Sequence, residues 1–159
     1  MYERFLNSAA QLAMEAACME ARQLNNDYIG TEHLLLGLIH DGDAFGTRVL
    51  KSFDESIPTR IRDEISKLAQ SEVGSESSIQ QLPYLPKARF VIESAIDEAR
   101  RLKLKSVGTE LLLLSLFRSY DKEFDGEGTI ALSILQATGI TQKDVRKRIG
   151  ELNSSSNLL

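Results

Sequence analysis

Apolar residues recur every three or four positions along most of this 159-residue chain, the spacing that one face of an α-helix produces. Residues 32–39 are apolar almost all round the predicted helix, so this segment should form a buried centre. No stretch shows a persuasive alternation of apolar and polar residues, which a half-buried strand would produce. The pattern therefore predicts an all-α fold.

Helix-start and helix-stop residues divide this pattern into eight helices. Thr31 and Thr109 are predicted N-caps, because a threonine hydroxyl accepts a hydrogen bond from a first-turn amide. Pro58 and Pro86 suit first turns, where the missing proline N–H costs no intrahelical bond. The predicted helices cover residues 3–24, 31–39, 43–52 and 58–69, then 86–103, a segment starting at 109, 127–137 and 141–152.

The second half of the chain repeats the first. At an offset of 78 residues, 29–32 match 107–110, and later, at an offset of 84, Ile61 matches Val145. The change of offset predicts an insertion in the second copy, in the polar, glycine-bearing segment 120–128. The predicted architecture is therefore eight helices arranged as two pseudo-twofold-related four-helix repeats.

Composition places the boundaries between these repeats. Residues 70–78 are rich in serine and glutamate and include a glycine, which is typical of a flexible connection. The predicted organisation is a first repeat over 1–69, a linker over 70–84, a second repeat over 85–152 and a flexible tail over 153–159.

Charge and cysteine content exclude several classes of protein. The net charge is −4, with 19 Lys and Arg against 23 Asp and Glu, so no basic excess is available for nucleic acid. No apolar run is long enough to span a membrane, and the first residues have no stretch of signal-peptide type. Cys18 lies in an apolar helical pattern and is interpreted as a small buried residue. These features predict a cytoplasmic protein without membrane or nucleic-acid partners.

Catalytic, metal-binding and cofactor motifs are missing from the sequence. A phosphate-cradling loop needs a Gly-Lys pair, and none occurs. The two histidines, His33 and His40, do not follow any glutamate at the spacing of a di-metal bundle, so a metal site is not expected. No activated serine or cysteine motif occurs either. The chain is therefore predicted to be no enzyme and to carry no cofactor.

Each repeat carries Gly-Thr-Glu at the start of its most apolar helix, at residues 30–32 and 108–110. One interpretation is helix-start chemistry, in which threonine caps and a first-turn glutamate offsets the helix dipole. The other is a paired acidic group that accepts a cationic side chain, because a carboxylate binds a guanidinium through two parallel hydrogen bonds. The residues alone favour the first interpretation.

The pattern at residues 29–38, Ile-Gly-Thr-Glu-His-Leu-Leu-Leu-Gly-Leu, resembles the signature of the Clp N-terminal domain repeat. Its second occurrence lies at 107–116, and a matching Glu-Ala-Arg precedes both copies. The resemblance covers residues 3–152 and is closest to the ClpC type. It implies a non-catalytic domain at the front of an ATP-driven unfoldase. The implied partners are a Clp ATPase module or Clp protease subunits, adaptor proteins and protein substrates.

ClpC-type domains bind phosphorylated arginine, a degradation mark, in two related pockets. By this resemblance, Glu32 and Glu110 correspond to the glutamates that bind the guanidinium, and Asn7 and Leu85 stand where the family has phosphate-side threonines. The first pocket is expected to combine Asn7 with Glu32, and the second Leu85 with Glu110.

The two predicted pockets differ in their donors. Asn7 can still donate a hydrogen bond to a phosphate, and Ser8 lies next to it. Leu85 cannot donate from its side chain, although Lys87 adds positive charge near a helix start. Replacing Glu32 by alanine is therefore expected to weaken phosphoarginine binding more than the same change at Glu110.

Two other roles remain open at this point. A stand-alone accessory protein that docks on a Clp protease complex and stabilises or regulates it would carry the same repeats. A small enzyme or ligand-binding bundle built from the same repeat would instead need a pocket between the two copies.

Overall fold

The computed structural model describes residues 1–68, 81–118 and 128–156. Within these ranges the chain forms eight α-helices and a short 3-10 turn at Glu3–Phe5, which confirms the predicted all-α fold. The helices are α1 (Ser8–Gln23), α2 (Thr31–His40), α3 (Phe45–Phe53), α4 (Ile57–Leu68), α5 (Pro86–Arg101), α6 (Thr109–Phe117), α7 (Ile130–Ala137) and α8 (Gln142–Ser156).

The apolar helices α2 and α6 form the centre of the domain. Residues 33–39 of α2 and 111–117 of α6 are all buried. Helix α1 crosses α2 so closely that a Cβ at Gly37 would lie 2.7 Å from the backbone nitrogen of Ala17. The prediction of a buried centre is therefore correct, and Gly37 is required by a close helix contact.

Helix starts and stops follow ordinary capping chemistry. The Asn7 side chain accepts from Ala10 N at 2.9 Å and caps α1, and Thr129 caps α7 by accepting from Leu132 N at 3.0 Å. Thr141 and Asp144 exchange side-chain and backbone hydrogen bonds at the start of α8, which forms a capping box. Ala44 occupies the N-cap position of α3, so this helix begins at Phe45 and not at the predicted residue 43.

The threonines of the two Gly-Thr-Glu motifs are not N-caps, contrary to the prediction. Gly30 and Gly108 occupy the N-cap positions, and each threonine is the first residue of its helix. The Thr109 hydroxyl accepts from Gly46 N at 2.9 Å, at the start of α3 in the other repeat. In the reciprocal contact, the Thr31 hydroxyl accepts from Ala131 N at 3.4 Å, at the start of α7.

Short backbone bridges also join the repeats reciprocally. Leu6 forms a parallel bridge with Val107, and Ile29 forms one with Tyr84. Because the offset of 78 relates Leu6 to Tyr84 and Ile29 to Val107, the two bridges are equivalent under the pseudo-twofold relation. Residues 6 and 7 are extended for this pairing, so α1 begins at Ser8 and not at the predicted residue 3.

The predicted boundaries need two adjustments. Leu82 is 2% exposed and Tyr84 pairs with Ile29, so the end of the predicted linker 70–84 belongs to the folded domain. Helix α8 continues to residue 156, four residues into the predicted tail. Residues 70–80 of the linker, 157–159 of the tail and nearly all of the predicted insertion 120–128 lie outside the described residues.

Candidate functional site

Glu32 and Glu110 occupy the same place in the two repeats, the second position of a central helix. Each carboxylate folds back over the preceding glycine. A Cβ at Gly30 would lie 2.5 Å from Oε2 of Glu32, and a Cβ at Gly108 would meet Glu110 at least as closely. The glycine of each Gly-Thr-Glu motif therefore makes room for its own glutamate.

Both carboxylates are partly withdrawn from water. Burial raises the pKa of Glu32 and of Glu110 above the ordinary value, and a hydrogen bond from each residue's own backbone amide offsets part of the rise. In the described ranges, no lysine or arginine forms an ion pair with either carboxylate. A cationic group that reached them would meet a negative charge without a counter-ion.

His33 lies beside Glu32 but supplies no positive charge at neutral pH. Burial lowers the pKa of His33 to about 4, although the Glu20 charge opposes the shift. Its Nδ1 accepts from Gly30 N at 2.9 Å, and its Nε2 lies 2.8 Å from Asn26 Oδ1. Nε2 therefore carries the proton, and the neutral ring holds the start of α2. His33 is therefore part of the structure that starts α2.

The predicted site residues lie at four helix starts. Asn7 and Ser8 are exposed at the start of α1, Lys87 is half-buried in the first turn of α5, and Glu32 and Glu110 begin α2 and α6. The sequence suggested that these residues group by repeat, but the backbone bonds between the repeats indicate a different grouping.

The backbone bridges fix the true grouping. Asn7 N donates to Val107 O at 2.9 Å, which places the start of α1 beside the turn that leads to Glu110. Leu85 N donates to Ile29 O at 2.9 Å, which places the start of α5 beside the turn that leads to Glu32. The first segment of each repeat therefore packs beside the acidic helix start of the other repeat, and the expected pairing of Asn7 with Glu32 gains no support from these bonds.

Two composite sites result, each made of three helix starts. The Glu110 site consists of Asn7, Ser8 and residues 107–110, and Thr109 attaches it to the start of α3. The Glu32 site consists of residues 85–87 and 29–32, and Thr31 attaches it to the start of α7. Helix N-termini carry partial positive charge, so each site combines one carboxylate with surroundings that favour an anion.

The two sites differ in hydrogen-bond donors. At the Glu110 site, the Asn7 side-chain amide and the Ser8 hydroxyl donate to no group in the described ranges. At the Glu32 site, Leu85 has an apolar side chain and Pro86 has no backbone N–H. The Glu110 site therefore offers more donors to an anionic group.

A cavity of about 160 Å³ adjoins Glu32 and is lined mainly by apolar side chains. His33 and Asn26 form its polar wall, and the other lining residues are Leu24, Tyr28, Ile65, Leu68 and Ile130. The Glu32 site is therefore open on one side to an apolar group of modest size.

Sequence reasoning missed the buried carboxylates Glu20 and Glu98, which are 6% and 4% exposed. Each is held by an arginine from the last helix of its own repeat, Glu20 by Arg62 and Glu98 by Arg146, both at 2.9 Å. Both glutamates align at the offset of 78 and both arginines at the offset of 84. The recurrence of a glutamate and an arginine at equivalent positions of both repeats could therefore have indicated these ion pairs.

No cluster of three or more metal-ligating His, Cys, Asp or Glu side chains occurs in residues 1–68, 81–118 and 128–156. In the same ranges, no helix has the length and hydropathy needed to cross a membrane.

The family model for the Clp repeat (R) N-terminal domain matches residues 5–125. The chain is 35% identical over 149 residues, 94% of its length, to the chaperone protein ClpC1 of rice chloroplasts. It is 34% identical over 157 residues, 99% of its length, to the tomato chloroplast ClpA homolog CD4B, an ATP-binding subunit of the ATP-dependent Clp protease. The chain therefore belongs to the Clp N-terminal domain family, as its sequence motifs predicted. It spans 15% and 16% of the length of these two relatives.

Solved structures share the fold. The N-terminal domain of ClpD from Arabidopsis thaliana superposes with a TM-score of 0.66 at 18% identity, over 97% of each chain. The N-domain of ClpV in complex with a VipB peptide superposes with a TM-score of 0.65 at 16% identity, over 92% of this chain and 85% of that one. The names of the rice and tomato relatives place those two proteins in chloroplasts, and the cytoplasmic location of this chain stays a prediction.

Proposed function

We propose that this chain is a non-catalytic domain that binds substrates or adaptor proteins for a Clp unfoldase–protease system. Its family supports this role, because the relatives are Clp chaperones and ATP-binding subunits of Clp proteases. The ClpV N-domain, which shares the fold, was solved in complex with a peptide. The reciprocal bridges support it as well, because each brings a helix start of one repeat beside the acidic helix start of the other, whose carboxylate pairs with no lysine or arginine of the described residues.

The ligand proposed for the composite sites is a phosphoarginine side chain. It combines a guanidinium with a phosphate, and each site combines a carboxylate with helix starts. A guanidinium suits Glu32 or Glu110, because a carboxylate accepts two parallel N–H bonds from it. The phosphate suits the neighbouring amides and the positive end of a helix. The single observation that carries the proposal is the placement of Asn7 beside the turn that leads to Glu110.

This grouping reverses the expectation from the sequence. Asn7 and Ser8 are the strongest phosphate donors of the set, and they accompany Glu110 rather than Glu32. The Glu110 site should therefore bind phosphoarginine more tightly than the Glu32 site. At the Glu32 site, Lys87 is the cationic side chain nearest in sequence to the start of α5. Its ammonium supplies positive charge but not the fixed planar set of N–H donors that a guanidinium has.

Calorimetric titration with a phosphoarginine peptide tests this proposal. Glu110→Gln and Glu32→Gln form a matched pair, because the two residues occupy equivalent positions with similar burial. Glu110→Gln should weaken the tighter binding event about tenfold or more, and Glu32→Gln should leave that event within about twofold of wild type. The same peptide with unmodified arginine is the control for the phosphate.

Two outcomes would overturn the phosphoarginine assignment: no binding by the wild type, or equal binding of the unmodified peptide. A larger loss in Glu32→Gln than in Glu110→Gln would overturn the assignment of the tighter site. The broader docking role has a separate test, in which the chain is fused in front of a Clp ATPase that lacks its own N-terminal domain. Degradation of adaptor-delivered substrates should return in the fusion, and its failure to return would contradict the docking role.

A further inference from the structure

A cavity of about 600 Å³ lies in the second repeat, on the face formed by α5, α6 and the start of α8. Phe90 and Phe117 provide apolar wall, and Arg101 and Arg118 provide positive charge. Its remaining lining residues are Ser94, Asp97, Glu98 and Gln142. None of these residues belongs to the Glu32 or Glu110 site.

Three guanidiniums meet the one buried carboxylate of Glu98. Arg146 Nη1 lies 2.9 Å and Arg118 Nη1 lies 3.3 Å from its oxygens, and Arg101 Nη2 also donates to it. One negative charge against three positive charges leaves an excess of two. Burial alone would raise the pKa of Glu98, but the three guanidiniums hold it below its usual value. Glu98 therefore stays ionised, and the positive excess remains.

The first repeat shows that a buried glutamate at this position does not need three arginines around it. There the equivalent Glu20 is bound by both terminal nitrogens of Arg62, at 3.2 and 2.9 Å, and its second neighbour is His40 at 3.5 Å. The positions equivalent to Arg101 and Arg118 are Gln23 and His40. The two additional arginines are therefore specific to the second repeat.

These arginines keep donors to spare. Arg101 and Arg118 each reach Glu98 through one nitrogen only, whereas a guanidinium has five N–H groups. Their side chains are 63% and 44% exposed, so the remaining donors are accessible to a ligand. Asp97 also lines the cavity, but its carboxylate pairs with Arg100 at 3.5 Å. The local charge stays positive on a chain whose net charge is −4.

We infer that this cavity, which we call the α5–α6 cavity, binds an acidic segment of a partner protein through Arg101 and Arg118. The glutamate or aspartate carboxylates of that segment take the spare guanidinium donors in bidentate geometry. An apolar side chain of the same segment packs against Phe90 and Phe117. The cavity is large enough for several side chains, and its charge complements an acidic peptide.

Fluorescence anisotropy with a short labelled peptide rich in glutamate tests this inference. Wild type should bind this peptide and not its glutamine counterpart, and added salt should weaken the binding. The double variant Arg101→Gln/Arg118→Gln should bind about tenfold more weakly. It retains Arg146, so Glu98 keeps the partner that its counterpart Glu20 has in Arg62.

The matched control is Lys103→Gln/Lys105→Gln, which also removes two positive charges just after α5, from exposed residues outside the cavity lining. It should bind within about twofold of wild type. Equal binding by wild type and the double variant, equal binding of the two peptides, or an equal loss in the control would overturn the inference.

Nuclear magnetic resonance of the wild type gives a test that does not depend on variant folding. The acidic peptide should shift the amide signals of residues around the α5–α6 cavity, and shifts confined to other surfaces would contradict the inference. A Glu32→Gln/Glu110→Gln double variant should bind the acidic peptide as wild type does. Failure of the phosphoarginine proposal is therefore separable from failure of this one.

Discussion

The backbone N–H of Asn7 donates to the carbonyl oxygen of Val107 over 2.9 Å, so the first segment of one repeat is fastened beside the acidic helix start of the other. Leu85 and Ile29 form the reciprocal bond at the same distance. Each candidate phosphoarginine site therefore needs both repeats. Duplication alone would give two separate sites, whereas this exchange gives two sites that depend on the contact between the copies.

Thr109→Val should destabilise the domain, because valine has nearly the same shape but cannot accept the bond from Gly46 N. A buried amide that loses its partner costs about 1–3 kcal/mol. Thr31→Val should cost less, since its bond to Ala131 N is 3.4 Å long rather than 2.9 Å. Urea unfolding of both variants measures the difference. A larger loss in Thr31→Val would contradict the ranking by bond length, and no loss in either variant would show that these contacts do not stabilise the junction of the repeats.

Stability should fall in acid because of His33. Its folded pKa of about 4 lies below the unfolded value of 6.5, so the unfolded state binds more protons between these two pH values. The stabilisation is complete above pH 6.5 and is lost as the pH falls towards 4, with a total of about 3 kcal/mol. The raised pKa values of Glu32 and Glu110 act in the opposite direction, since protonation favours the folded state.

His33→Leu isolates the histidine contribution, because leucine occupies the equivalent position 111 of the second repeat. The difference in unfolding free energy between wild type and this variant should shrink as the pH falls from 6.5 to 4. Both glutamates are present in both proteins, so their effects largely cancel. A difference that stays constant over this range would contradict the assignment.

Gly37→Ala should destabilise the domain by about 1–3 kcal/mol, because the added methyl group would collide with the Ala13 carbonyl and the Ala17 amide and push α1 away from α2. Gly150→Ala is the matched control. It adds the same methyl group inside α8, where no atom lies within 4 Å of the new Cβ, and should stabilise by about 0.5–1 kcal/mol. Thermal unfolding of the two variants should shift in opposite directions, and a shift of the same sign would count against the close contact.

Most of the fold was predictable from periodicity and the internal repeat. The eight helices of the described residues follow from apolar spacing and from start residues such as Pro58 and Pro86, which lie in the first turns of α4 and α5. The predicted start of α1 was wrong because residues 6 and 7 are extended and pair with the backbone of the other repeat. Local helix propensity carries no information about that pairing.

The candidate sites were predictable in composition but not in grouping. Gly-Thr-Glu marks both helix starts, and the contrast between Asn7 and Leu85 is visible in the sequence. A repeat alignment relates equivalent residues and does not tell which copy each one contacts, so it gave no sign that Asn7 lies beside the turn that leads to Glu110. The threonine roles failed for the same reason, since Thr31 and Thr109 accept from helices of the opposite repeat.

The proposal that each site is built from both repeats is tested most directly by combining Ser8→Ala with each glutamate variant and measuring the affinity for a phosphoarginine peptide. With Glu32→Gln, Ser8→Ala should still weaken the tighter binding event, by about tenfold for a lost bond to a charged group. With Glu110→Gln, Ser8→Ala should not weaken the remaining peptide binding further. That binding occurs at the Glu32 site, whereas Ser8 belongs to the Glu110 site. The reverse pattern, in which Ser8→Ala loses its effect only in Glu32→Gln, would contradict the composite sites.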